Sequence, residues 1–360
     1  MNPRTTTAAL PALAAPAAAA VGGRGRPAAN RSSRPAWLLA AVVVLVLVTA
    51  ASLAVGARGL APDIVWQALT RFDPANGDHA VVHARLPRTV LGLLAGAALG
   101  LAGAAMQGVA RNPLADPGIM GVNAGAALAV VTGIYVFGIS SLTGYIWFAF
   151  IGAAAAAAVV YLIASLGRDG ATPVKLALAG AALSAGLFSL MNVILVSSQD
   201  TLDRFRFWQV GGIAGRDWSV VLPGVPFLML GAGIVLATGR ILNSLALGDD
   251  IARGLGQRVG VVRGVTALGI VLLCGSATAL AGPIGFVGLV IPHAVRFLSG
   301  PDYRWILPLS MILAPALLLA ADVAGRVILL PGEVPAGIMT ALVGGPVFVW
   351  LVRRGKGAGL

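Results

Sequence analysis

Three arginines and one aspartate stand out as the residues best placed to do chemistry. Arg85 and Arg88 sit three apart just before a long Gly/Ala-rich apolar run, and Arg326 closes another such run, four residues after Asp322. A guanidinium is a planar fork of donors that holds an oxyanion through two bonds at once. At the end of an apolar segment it can anchor in lipid headgroups, with its stem along hydrocarbon. The spacing of Asp322 and Arg326 also permits an ion pair within one helix.

Little else is equipped for reaction. His79 and His83 are four apart and could share a metal if helical, but their surroundings read as a solvated loop. His293, in Ile-Pro-His, reads as a packed, hydrogen-bonded histidine, because metal ligation needs converging partners. Glu333 is the only glutamate and reads as a charge at a helix start. Cys274 is the only cysteine, which excludes an intrachain disulfide and a cysteine cluster. No nucleophile–base–carboxylate set is present, and no G-x-x-x-x-G-K-[ST] phosphate loop. The expectation is therefore no catalytic residue, no metal site and no cofactor.

The composition says what must position those arginines. The chain has 360 residues, 58% hydrophobic and 11% charged, against about 25% charged in soluble domains. Apolar runs long enough to cross a bilayer recur from end to end. Backbone in lipid must satisfy its own hydrogen bonds, so these runs are helices. The alternation of a barrel is absent. The predicted fold is an all-α polytopic membrane protein with about ten transmembrane helices, near 37–55, 89–108, 119–138, 145–166, 173–197, 220–239, 263–281, 283–298, 305–325 and 335–352. Around Ala281-Gly-Pro283 a tight turn and a broken helix both fit.

Residues 1–36 are rich in Ala, Pro and Arg and read as a disordered cytoplasmic tail. The transmembrane domain covers 37–354, and 355–360 form a short C-terminal tail. The first apolar run resembles a signal peptide, but its length and the many later spans favour a retained helix. Net charge is +12, from 25 Lys+Arg against 13 Asp+Glu. No basic run interleaves with exposed aromatics, so nucleic acid is not an expected partner. With both termini inside, inner basic residues outnumber outer ones about two to one. The expected location is the plasma membrane, multi-pass, with both termini cytoplasmic. The 48 glycines suit close helix packing in lipid.

The largest inner loop lies between the sixth and seventh spans, over 245–260. Asp249 and Asp250 suit the first turn of a short helix, and Gly254 or Gly256 can end it. Leu247, Ile251 and Leu255 fall on one face. Such a segment lies on lipid, docks into a partner's groove, or merely connects.

Several motifs, taken in order, resemble the FecCD-type permeases. They are Arg-Leu-Pro-Arg at 85–88, Gly-Ala-Ala-Met-Gln at 103–107, Asn-Pro-Leu-Ala-Asp-Pro-Gly at 112–118 and Gly-Val-Asn-Ala-Gly at 121–125. Ala-Leu-Gly at 246–248 with Ala252 and Leu255-Gly256 continues the series. Ala-Gly-Pro-Ile-Gly-Phe-Val-Gly-Leu-Val-Ile-Pro-His at 281–293, Ala-Ala-Asp at 320–322 and Glu-Val-Pro-Ala-Gly at 333–337 complete it. The resemblance spans about 37–354. Members of that family are the membrane subunits of ATP-driven importers for ferric siderophores, haem and cobalamin.

The resemblance implies a second permease subunit, identical or related, two cytoplasmic ATPase subunits and an external substrate-binding protein. It implies that Ala246, Leu247, Gly248, Asp249, Ile251, Ala252, Leu255 and Gly256 couple to the ATPase. It implies that Arg85, Arg88 and Arg326 receive acidic residues of the binding protein. Thr172 and Pro173 map onto a cytoplasmic gate, although Pro173 departs from the small hydroxyl residues of the family and also suits an ordinary helix start. Met191 and Asn192, with Ser184, Ser189 and Ser197, give their span the polar-small mix of a pathway lining or of interhelical hydrogen bonding. The implied function is import of a ferric siderophore by alternating access, with haem or cobalamin as alternative cargo. An ion-coupled secondary transporter is the rival class, and it would need ionisable groups at mid-membrane.

Overall fold

A computed structural model describes residues 34–166 and 172–356. Most of the expected N-terminal tail (1–33), the loop around Arg168 and residues 357–360 lie outside the described residues. The chain folds into fifteen α-helices among the described residues: α1 (Arg34–Ala54), α2 (Pro62–Thr70), α3 (Gly77–Ala110), α4 (Val122–Phe137), α5 (Leu142–Ser165), α6 (Pro173–Ser197), α7 (Gln199–Gln209), α8 (Trp218–Val221), α9 (Val225–Ala237), α10 (Gly239–Ala246), α11 (Asp249–Gly254), α12 (Val259–Ala281), α13 (Val287–Ser299), α14 (Tyr303–Ile328) and α15 (Ala336–Lys356). No strand occurs among them.

Seven helical stretches are long and apolar enough to cross a membrane, with α8 and α9 together forming one of them. The other three expected spans are the shorter apolar helices α4 and α13 and the apolar part of α15, Ala336–Trp350. The 13 residues of α13 rise about 20 Å, short of the roughly 30 Å hydrocarbon core. The turn that shortens it is built into the sequence. Gly282 (φ 73) and Phe286 (φ 67) take left-handed backbone between α12 and α13, and the chain turns back there, since Arg263 near the start of α12 and Arg296 near the end of α13 both lie at the end of the bundle where α3 finishes.

The bundle is organised around α3. Buried residues make up 78% of its apolar window, against 17% for α1 and for α6; α3 is the axis and the other two are peripheral. It packs against α14, α12 and α13. Small residues make that possible. A Cβ on Gly96 would run into the Pro315 backbone, and one on Gly103 would overlap the carbonyl of Gly288 on α13. Without a hydrophobic drive between helices in lipid, such close backbone contact is a main source of adhesion.

Two departures from the sequence-based reading matter for function. First, α3 begins at Gly77, capped by Asn76, whose Oδ1 accepts from the Asp78 amide at 2.9 Å. Arg85 and Arg88 therefore sit two to three turns inside a helix rather than at its start. Second, His79 and His83 are helical, not on a solvated loop. His79 Nδ1 accepts from the Asp73 amide at 3.0 Å, and His83 Nε2 lies 3.2 Å from the Ala68 carbonyl. His83 braces α2 against α3, and His79 ties the turn between them to α3. The helices α2 and α7 were not anticipated, because each is too short and too polar to register as a span. α1 starts at Arg34, three residues before the expected boundary, and α15 continues to Lys356.

Candidate functional site

The polar chemistry of the bundle concentrates at its two ends. At one end, three arginines meet two carboxylates. Arg88 Nε donates to Asp322 Oδ2 at 3.0 Å, and Nη2 donates to Oδ1 at 2.8 Å. Its Nη1 donates to Glu333 Oε2 at 2.8 Å. Arg326 also bonds Asp322, through Nε at 2.9 Å and through Nη2. Its Nη1 donates to the Ser52 and Val55 carbonyls at 2.7 and 3.2 Å, and its Nη2 also reaches Ser52 Oγ at 3.2 Å. The Ser52 hydroxyl lies 2.9 Å from Thr89 Oγ1.

Arg326 thus spends all five of its N–H donors internally, and it is only 2% exposed. The intrahelical pair allowed by the sequence is formed, and in this conformation Arg326 has no donor left for an external carboxylate. It braces α14 against the end of α1. Arg88 uses three of its donors on carboxylates, and its side chain keeps 13% exposure. Arg85 donates to the Leu53 and Arg58 carbonyls, both at 2.7 Å, and stays half-buried. Glu333 lies just before α15, as expected, but its carboxylate is committed to Arg88 instead of to that helix's start.

The other end carries the 245–257 segment. α10 closes at Ala246, Gly248 turns the chain with φ 117, and α11 begins with Asp249 and Asp250 in its first turn. Gly256, with φ 80, ends it. Ala252 is buried, while Leu247, Ile251 and Leu255 are 62%, 51% and 63% exposed. Asp249 fastens the segment to the bundle. It accepts from Arg111 at the end of α3, and from Arg263 Nη2 on α12 at 2.9 Å. Arg111 is available because the chain turns sharply there, in left-handed backbone (φ 50). The following Asn-Pro-Leu-Ala-Asp-Pro-Gly run is held by its own side chains: Asn112 Oδ1 accepts from the Leu114 amide at 2.9 Å and Asp116 Oδ1 from the Gly118 amide at 2.7 Å. Arg296 Nη2 bonds Gln107 Oε1 and Tyr303 Oη, both at 3.1 Å, tying α3, α13 and α14 together at this end.

The expected gate and pathway residues lie on α6. Thr172 is its N-cap, accepting from the Lys175 amide at 3.3 Å, and Pro173 fills the first helical position. Met191 is buried, whereas Asn192 is exposed. Ser189 and Ser197 hydroxyls donate back to the Ala185 and Ile194 carbonyls of their own helix, at 2.9 and 2.8 Å. These two hydroxyls are satisfied without a neighbouring helix. His293 is buried and meets Phe297 edge-on at 5.2 Å. No group of three or more His, Cys, Asp or Glu able to hold a metal occurs among the described residues.

The chain is thus a membrane-helix bundle with ionic clusters at its two ends and a short helix bearing exposed apolar residues at one of them. The sequence profile of the FecCD transport family matches residues 44–354. The chain belongs to that family and is a permease subunit of an ABC importer. It is 47% identical over 316 residues to the ferric enterobactin transport system permease protein FepD of Escherichia coli (strain K12), covering 87% of this chain and 93% of that one. It is 42% identical over 322 residues to the iron(3+)-hydroxamate import system permease protein FhuB of Bacillus subtilis (strain 168), covering 88% and 83%. Among solved structures, a metal-chelate type ABC transporter in an inward-facing conformation superposes with a TM-score of 0.78 at 30% identity, over 89% of this chain and all of the other.

Proposed function

We propose that this permease moves ferric siderophores from an external binding protein to the cytoplasm by alternating access, driven by two ATPase subunits that grip α11. The observation that carries the reading is the exposure of Leu247, Ile251 and Leu255, before, within and just after α11 instead of along one continuous helix, with Asp249 among them bonded to Arg111 and Arg263. Such an apolar patch fits a groove on a partner. Its anchors reach α3 and α12, so a push on α11 is delivered to the core of the bundle. The end bearing α11 is cytoplasmic in this reading, which places both termini inside. Two permease copies, identical or related, enclose the pathway. Asn192 and the exposed face of α6 line it, with Thr172 and Pro173 at its inner mouth.

At the opposite end, Arg85 and Arg88 meet the binding protein, and Arg326 serves as their internal brace. The cargo assignment rests on FepD and FhuB, whose names specify ferric enterobactin and iron(3+)-hydroxamate. A chelate arrives with its metal already ligated, so the pathway needs room and mild polarity instead of ligands.

The test is reconstitution in proteoliposomes with the cognate ATPase and binding protein. Uptake of a radiolabelled ferric siderophore should require ATP, and the permease without its ATPase should transport nothing. Full uptake by the permease alone would reject the mechanism. ATP-dependent uptake of haem or cobalamin in place of the ferric chelate would correct the cargo.

A further inference from the structure

A cavity of about 260 Å³ opens between the junction of α9 with α10 and the first turns of α14, at the end of the bundle that carries α11. Arg240 and Arg304 flank it, and Leu236, Ala237, Leu307 and Pro308 form most of the remaining wall. The cavities between α4 and α5 and between α1 and α2 are lined by apolar side chains. This one sets two cations beside an apolar surface.

The order of residues along each wall fixes where the charge lies. The apolar stretch that contains α9 ends at Ala237, and Arg240 comes four residues after Leu236. The apolar stretch of α14 starts at Tyr303, and Arg304 comes four residues before Pro308. Residues four apart share a helix face. Each wall therefore holds its arginine at the end of a membrane span and its apolar side chains further into the span. The walls also meet closely, since a Cβ on Gly239 would lie 3.2 Å from Leu307 Cδ1. Trp305 adjoins Arg304, with Arg34 over its ring at 5.9 Å, and tryptophan is enriched at the membrane–water boundary.

The protein supplies these two cations with no direct counter-charge. Among the described residues, neither guanidinium forms an ion pair or a hydrogen bond, and both residues are exposed. Asp302 is engaged elsewhere: its Oδ1 accepts from Asn243 Nδ2 at 2.7 Å and from the Arg304 amide at 3.0 Å, and Arg34 lies 3.8 Å from its Oδ2. It attracts the Arg304 side chain only from a distance. A cleft lined by one sign of charge concentrates the opposite sign.

We propose that this cavity seats an anionic phospholipid, its phosphate between Arg240 and Arg304 and the start of its acyl chains along Leu236, Leu307 and Pro308. Guanidinium forks match phosphate oxygens, and basic pockets between membrane helices take lipid headgroups. A soluble phosphate would use the cations and leave the apolar part of the wall bare; a phospholipid uses both. The seated headgroup bridges α10 to α14 where the protein provides no ion pair. α10 runs directly into the 247–257 segment, so the lipid steadies the base of that segment.

The test is native mass spectrometry of the full-length permease, in complex with its ATPase, released from nanodiscs that mix phosphatidylglycerol with phosphatidylcholine. Wild type should retain phosphatidylglycerol in preference to phosphatidylcholine. Arg240→Gln and Arg304→Gln should each cut that retention about fivefold, as expected for one basic side chain at an anionic surface. Arg258→Gln combined with Arg353→Gln removes two exposed charges at the same end and should leave retention unchanged. Equal loss in this pair and in the Arg240→Gln, Arg304→Gln pair assigns retention to overall surface charge and overturns the seat. Absence of any preference in wild type overturns it without reliance on a variant. Glycerol 3-phosphate at a concentration equal to the lipid's should not displace it, because it lacks the chains. Displacement would assign the cavity to soluble phosphates and overturn the lipid.

Discussion

Asp322 holds Arg88 from behind, accepting Nε at 3.0 Å and Nη2 at 2.8 Å in a two-pronged bond that joins α14 to α3. The same carboxylate is shared with Arg326, and it is only 1% exposed. Replacing it by asparagine would leave a buried guanidinium without a counter-charge. Breaking one side of a buried pair costs about 3–5 kcal/mol. Asp322→Asn should therefore lower the thermal unfolding temperature of the purified subunit clearly, as followed by fluorescence-monitored melting in detergent. A wild-type melting curve would show that water reaches and compensates the cluster.

Leu247, Ile251 and Leu255 contribute little to the subunit's own stability, since they face outward. Ile251→Asp should change the melting temperature little, as exposed substitutions usually stay within about 0.5 kcal/mol. It should nevertheless abolish co-purification of the ATPase subunit. Retention of the ATPase at wild-type stoichiometry would show that α11 is a connector.

In the proposed coupling, Asp249 would separate binding from transmission. Its bonds to Arg111 and Arg263 fix α11 to the core, while the exposed Leu247, Ile251 and Leu255 would meet the partner. Asp249→Asn should leave ATPase association intact and reduce substrate uptake per ATP hydrolysed. Parallel measurement of hydrolysis and uptake in proteoliposomes tests this. An unchanged ratio would remove the tether from the transmission path.

Gly103 admits the Gly288 carbonyl where no side chain fits. Gly103→Leu should separate α3 from α13, with overpacking costing about 1–3 kcal/mol or more. The expected result is loss of the monodisperse peak on size exclusion. A well-behaved variant would place the two helices farther apart than described.

Asp302 gives an acid limit. Burial alone would raise its carboxyl, but Asn243, the Arg304 amide and the nearby Arg34 together hold it below the ordinary carboxylate range. A depressed folded value means stability present above the unfolded value, near pH 4, and lost as pH falls through the folded one. Asp302→Asn should flatten this part of the acid limb in melting curves taken between about pH 5 and 2. An unchanged limb would assign acid sensitivity elsewhere.

Most of the architecture could be read before the structure, because period and hydropathy report directly on helices that must satisfy their backbones in lipid. The short helix at 249–254 was legible too, since its acidic first turn and glycine stop are local signals. What the sequence hid were relationships between distant segments. Nothing near Glu333 says that its partner is Arg88, 245 residues away. Nothing near Arg326 says that its last donors go to Ser52 and Val55. His79 and His83 were misread for a related reason. Their polarity suggested a loop, and it took α2 folding alongside to make that polar turn part of a helix.

The exposed apolar residues around α11 also bear on how the complex is made. A subunit inserted before its partner arrives would show three large aliphatic side chains to water at the end of the bundle. Chaperones and proteases that patrol nascent polypeptides select such stretches. If the proposed coupling holds, the residues that transmit force would also mark an orphan for destruction, and cells would accumulate this subunit only in step with its companion.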